Sequence, residues 1–143
     1  MSDLYFVIDS GRPAIITAAQ LPAGEKWISY TLFIKVSRLE KIRVGRLGQF
    51  EFAVGEYVYS GSAKRGICAR VNRHLRSEKK LRWHIDYLLA APAVTITKVR
   101  ISTIAECQLV AEAGGKIVVP GFGSSDCTHG CGSHLRFLDW GHN

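Results

Sequence analysis

Apolar runs and turn residues divide this chain into short segments whose spacing predicts its elements. Leu4 to Ile8 and Ala14 to Ala18 flank the turn Ser10-Gly-Arg-Pro13, which predicts an N-terminal hairpin ended by Leu21-Pro-Ala-Gly24. Ser29 to Val36 reads as a strand. Between Arg38 and Phe52, the short runs Ile42-Arg-Val44 and Phe50-Glu-Phe52 are punctuated by Gly45 and Gly48, so one or two further strands are expected there. Tyr57 to Ser60 is the next strand, ended by Gly61. Ile67, Val71 and Leu75 recur every four positions and predict a helix over 67–78 with that face on the sheet. A second helix over 85–90 is stopped by Pro92, and the alternation in Val94 to Ile101 predicts a strand. Thr103 to Ala113 reads as a third helix closed by Gly114-Gly115, with a last short element at 116–119. The expected class is α+β, a mixed, mainly antiparallel sheet flanked by helices.

Composition narrows the partners. The 143 residues suffice for one core, and the net charge of +7 favours a polyanion. Distribution says more than the total: Lys64, Arg65, Arg70, Arg73, Arg76, Lys79, Lys80 and Arg82 crowd one short stretch. No apolar run approaches the roughly 20 residues of a membrane span, and the start Met1-Ser-Asp-Leu4 lacks a basic leader, so a cytoplasmic protein with no membrane partner is expected. In that compartment the four cysteines are expected as thiols, with Cys68 and Cys107 among apolar neighbours in the core. Cys127, Cys131 and His134 could supply ligands to zinc. Their spacing is not that of a familiar finger, and the preferred reading is a tight loop in which Asp126 and His134 make hydrogen bonds.

The run from Gly55 to His74 carries the chemistry. Tyr57 and Tyr59 alternate on a strand, and Arg70 and His74 lie one turn apart on the following helix. Arginine offers a planar fork of donors to phosphate oxygens, and a phenol or imidazole beside it can move a proton to or from an attacking water. Tyr59-Ser60-Gly61, then Arg70 and His74, resembles the second signature of the GIY-YIG nuclease superfamily. Ile28-Ser29-Tyr30, heading Thr31 to Ile34, is similar to its first signature, with isoleucine in the usual glycine position and an inserted hairpin between the two. Arg82 to Leu88 and Gly121 to Cys127 resemble the small prokaryotic Uri-type branch, and the likeness spans about residues 28 to 138.

That resemblance implies a nuclease domain over 28–143, with residues 1–27 as a hairpin extension packed on it. It implies metal-dependent hydrolysis of phosphodiester bonds in nucleic acid, DNA first, in repair or processing. Charge stabilisation at the phosphate calls for Mg2+ or Mn2+, and the family's single metal-holding glutamate falls at Glu106. Tyr30, Tyr59, Arg70, His74 and Glu106 become the expected catalytic residues. Lys64, Arg65, Arg73, Arg76, Lys79, Lys80 and His84 become the expected nucleic-acid contacts, with Asp86 a further candidate on the substrate side. Two other readings stand beside this one: Thr103 and Glu106 form a capping-box pattern, and a domain that binds nucleic acid without cleaving it would carry the same charge.

Overall fold

The strand expected over residues 29–36 builds the centre of the molecule. In the computed structural model, which describes residues 3–8, 15–76, 79–123 and 130–139, β2 (Ser29–Val36) is the middle of a five-stranded sheet. The sheet runs β1 (Asp3–Val7), β6 (Val94–Ser102), β2, β5 (Gly55–Ser62), β7 (Leu135–Asp139), with every neighbouring pair antiparallel. Strand side chains alternate between faces. Tyr30, Leu32, Ile34 and Val36 therefore share one face of β2, and the register sets them beside Gly61, Tyr59, Tyr57 and Gly55 of β5. All four are buried in a core completed by Ile67 and Val71 of α1 (Ile67–Leu75) and by Ile85 and Leu88 of α2 (His84–Leu89). The expected insert is present as a separate hairpin, β3 (Glu40–Val44) and β4 (Gly48–Phe52), whose Val44 and Phe52 enter the same core. Leu109 and Val110 of α3 (Glu106–Ala113) are buried outside that cluster, and α3 contacts β2 and β5, which puts it on the opposite face. The α+β architecture is as the sequence predicts.

Four expectations need correction. The N-terminal hairpin does not form: β1 pairs along its length with β6, from Asp3↔Ser102 to Val7↔Lys98. Its intended partner is held elsewhere, because the Asn72 side-chain amide on α1 bonds both the N–H and the carbonyl of Ile16, each at 2.8 Å. Those bonds replace a ladder, and β1 is an edge strand of the main sheet. Gly61 does not end β5; it lies inside it, opposite Tyr30. The third helix starts at Glu106 with Ala105 as its cap, so Thr103 does not form the capping box. Finally, the short element expected over 116–119 is reduced to the single bridge Lys116↔Phe137, and the sheet is closed by β7, which no pattern announced.

Candidate active site

Because β2 and β5 are antiparallel, the start of one and the end of the other meet at one end of the sheet. A cavity of about 220 Å³ opens there, lined by Tyr30 of β2 and by Tyr59, Gly61 and Ser62 of β5. Arg70 from α1, Trp83 before α2, Glu106 from the start of α3, and Gly123 and His134 from the loops before β7 complete it. Two glycines make room for the tyrosines. A Cβ on Gly61 would collide with the Tyr30 hydroxyl and ring, and one on Gly123 (φ +68°) would come within 2.8 Å of the Tyr59 ring. The glycine of Tyr-x-Gly is thus a space requirement across a strand pair, which neighbouring sequence alone does not reveal.

Arg70 donates from Nη1 to the Ser62 carbonyl at 3.1 Å, and its guanidinium lies 4.6 Å from the centre of the Trp83 ring. Stacking fixes the plane of the fork and leaves other donors for the pocket. Glu106, first residue of α3, gains from the positive end of the helix dipole and sets Oε2 3.0 Å from His134 Nδ1. At 26% exposure its carboxylate remains open to solvent.

His74 is placed differently from the other four expected catalytic residues. It is buried, outside the cavity lining, packs its ring against Tyr59 and Trp83, and sets Nε2 2.7 Å from the Tyr30 hydroxyl. Burial holds its pKa down at about 3, so the imidazole is neutral near pH 7. Its Nδ1 is buried with no hydrogen-bond partner among the described residues. We assign the proton to Nε2, because the other tautomer buries an unpaired N–H. His74 then donates to the Tyr30 oxygen, and the Tyr30 proton is left to point elsewhere. Burial raises the pKa of both Tyr30 and Tyr59; for Tyr30 the nearby Arg70 offsets part of that rise. Tyr57, on the same face, is a packing residue: it donates to the Ala53 carbonyl at 2.7 Å and meets Phe137 edge-on.

The basic stretch separates into two groups. Lys64, Arg65, Arg76, Lys80 and Arg82 are exposed, Lys64 and Arg65 directly following the Ser62 rim of the cavity. Arg73, Lys79 and His84 are engaged internally. Arg73 makes a two-pronged pair with Asp86, at 2.9 and 3.0 Å, and also bonds the Lys80 carbonyl. Lys79 Nζ donates to the carbonyls of Arg73, His74 and Arg76, satisfying the C-terminal end of α1. His84 Nδ1 accepts from the Gly123 amide at 2.8 Å. Asp86 is fully buried; burial would raise its pKa, but Arg73 and the amides of Trp83 and Arg82 hold it below the usual carboxylate value.

A second cluster adjoins the cavity. The side chains of Cys107, Cys131 and His134 bring two sulfurs and a ring nitrogen within 4.8 Å of one another, close enough to hold a metal ion. Cys107 was expected in the core and is instead half-exposed beside Glu106, while Cys127 and Asp126 lie outside the described residues. Cys131 and His134, zinc-ligand candidates from the sequence, are both in the cluster; Trp83 and Cys107 are the site residues that spacing missed, because each arrives from a separate segment. None of the described helices is long and apolar enough to cross a membrane.

Comparison with curated proteins and with solved structures gives no match. The family described as domain of unknown function DUF123 matches residues 29–142, covering the central and closing strands, all three helices and every residue of the cavity, and the chain belongs to that family.

Proposed function

We propose that this protein is a divalent-metal-dependent endonuclease that hydrolyses phosphodiester bonds in nucleic acid, with DNA the first substrate to test. One observation carries the reading: Tyr30, Tyr59, Arg70 and Glu106, picked out by resemblance to GIY-YIG nucleases, line one solvent-open cavity although they come from four elements. The donor set fits Mg2+ or Mn2+, since Glu106 is the one carboxylate lining the cavity among the described residues and such ions need only one or two carboxylates plus waters. When bound, the ion supplies charge stabilisation at the phosphate oxygens.

The chain's own groups do the rest. Arg70, held flat by Trp83, directs its free donors at non-bridging oxygens, where charge builds in the transition state. Tyr30, accepting from His74, directs its proton into the cavity, as a donor to a phosphate or leaving-group oxygen. Tyr59, protonated and closed in by Gly123, orients the attacking water through its oxygen. His74 sets the direction of the Tyr30 hydroxyl and is a positioning residue. Lys64 and Arg65 extend the positive rim along the backbone of a bound strand.

The test is cleavage of linear and structured DNA with and without Mg2+ or Mn2+, comparing the wild type with Glu106→Gln. Cleavage should need the ion and fall by about 10² or more in the variant, while binding stays within a few-fold, because the basic face supplies the affinity. Full cleavage by Glu106→Gln removes the assignment. Ion-independent binding with no cleavage by the wild type makes the chain a binding module instead.

A further inference from the structure

We propose that Cys107, Cys131 and His134 bind a zinc ion that fastens the loop before β7 to the first turn of α3 and thereby orients Glu106. The three ligand atoms, two sulfurs and one imidazole nitrogen, lie within 4.8 Å of one another, and they come from segments more than twenty residues apart in sequence. In a tetrahedral site with Zn–S near 2.3 Å and Zn–N near 2.0 Å, ligand atoms sit roughly 3.5–3.8 Å apart, so closure requires side-chain shifts of no more than about 1 Å. Soft sulfur donors beside an imidazole select zinc over Mg2+ or Mn2+, which prefer oxygen. Charge also balances. Binding releases one proton from each of the two thiols, and two thiolates with a neutral imidazole and Zn2+ make a site of no net charge, suited to half-buried surroundings.

The surroundings are built for it. Glu106 Oε2 lies 3.0 Å from His134 Nδ1, so an ion held through the other ring nitrogen would reproduce the carboxylate–histidine–metal arrangement that fixes a ligand's tautomer and ring plane. The loop is pinned on both sides: Arg136 Nη2 donates to the Cys131 carbonyl at 2.9 Å, and the His134 amide to the Phe122 carbonyl at 2.8 Å. Cys107 directly follows Glu106 on α3. An ion on Cys107 and His134 would therefore grip Glu106 from both its chain neighbour and its side-chain partner.

The full, untagged chain purified under reducing conditions should carry about one zinc by elemental analysis, and Cys68→Ser, a thiol outside the cluster, should keep it. Cys107→Ser and Cys131→Ser should each lose it at least tenfold. Cobalt replacing zinc in the wild type should show thiolate-to-metal charge transfer and tetrahedral visible bands, a readout that survives if a variant fails to fold. The proposal is overturned if the wild type takes up no zinc or cobalt, if Cys107→Ser keeps its zinc while Cys127→Ser loses it, or if Cys107 and Cys131 form a disulfide in place of binding metal. None of these measurements reads cleavage, so the nuclease proposal and the zinc proposal can fail separately.

Discussion

Arg70 and Arg73 sit three residues apart on α1 and both stack on Trp83, at 4.6 and 4.3 Å from its centre, yet they face opposite tasks. Arg73 is closed: Asp86 takes its fork, the Lys80 carbonyl takes a further proton, and the pair ties the end of α1 to the start of α2. Arg70 spends a bond on the Ser62 carbonyl and turns the rest of its fork to the cavity. Trp83 thus separates a structural cation from one available to a ligand. A cluster of positive charge in the sequence does not measure the charge on offer, because a buried carboxylate claims its share first.

The sharpest way to break this contrast is to remove the carboxylate. Asp86 is fully buried and Arg73 is 15% exposed, so Asp86→Ala leaves a half-buried guanidinium unpaired and the Arg82 and Trp83 amides without their acceptor. Breaking such a pair costs about 3–5 kcal/mol. Arg70→Ala, losing a ring contact and a bond to a carbonyl, should cost about 1 kcal/mol. Urea denaturation of the two variants decides it; equal losses would mean that both arginines are structural.

The converse holds for turnover. Under the proposed activity, Arg70→Lys keeps the charge and loses the planar fork, so cleavage should fall on the order of 10² with DNA affinity little changed. Arg73→Lys should lower stability and leave the cleavage rate of the folded fraction near wild type. Single-turnover cleavage with parallel binding curves checks both. An unimpaired Arg70→Lys would make that residue part of the general electrostatic surface.

The same division marks what could be read from the sequence. The apolar run within 29–36 and the four-residue spacing of Ile67, Val71 and Leu75 predicted elements correctly because each is a local pattern set by burial, of a central strand in the first case and of one helix face in the second. Tyr30, Tyr59 and Arg70 were legible through short signatures that resemble those of GIY-YIG nucleases, Glu106 only through its place on a later helix in that resemblance, and the cavity does bring the four together. The partners that decide what each does were not. Asp86, a substrate-side candidate from the sequence, is the anchor of Arg73; Lys79 and His84, nucleic-acid candidates from the sequence, are occupied by backbone groups. Asn72 competes for Ile16 and so leaves β1 to pair with β6. Each is a contact between distant segments, set by packing and not by any period in the chain.

His74 offers a smaller test of which groups the core has closed. Its folded pKa of about 3 lies below the ordinary value of 6.5, so the native state binds fewer protons than the unfolded chain. The resulting stability is fully present above pH 6.5 and is lost as pH falls toward the folded value. Between pH 7 and 5 the loss should be about 2 kcal/mol. His84, also shifted down by burial, adds in the same direction, whereas Asp86 contributes only below the unfolded carboxylate range near 4. Denaturation midpoints of wild type and His74→Gln across that range separate the parts. A wild-type slope unchanged in His74→Gln would mean that this imidazole titrates normally.

The smallest effect sharpens the comparison most directly, because it counts charges on offer. A cation that neutralises a DNA phosphate releases counterions, and its removal lowers the slope of log affinity against log salt by about 0.9 for duplex DNA. Lys64 and Arg65 are exposed beside the cavity rim, so Lys64→Ala and Arg65→Ala should each reduce the slope by about that amount. Lys79→Ala removes the same formal charge but also the donor to two α1 carbonyls and to that of its cap, Arg76. It should lower the melting temperature and leave the slope of the folded protein nearly unchanged. Salt titrations of DNA affinity, made well below the melting point of each variant, give the answer. If Lys79→Ala flattens the slope as much as Lys64→Ala does, Lys79 reaches phosphate despite its internal bonds, and the division of the basic stretch into closed and available cations fails at that residue.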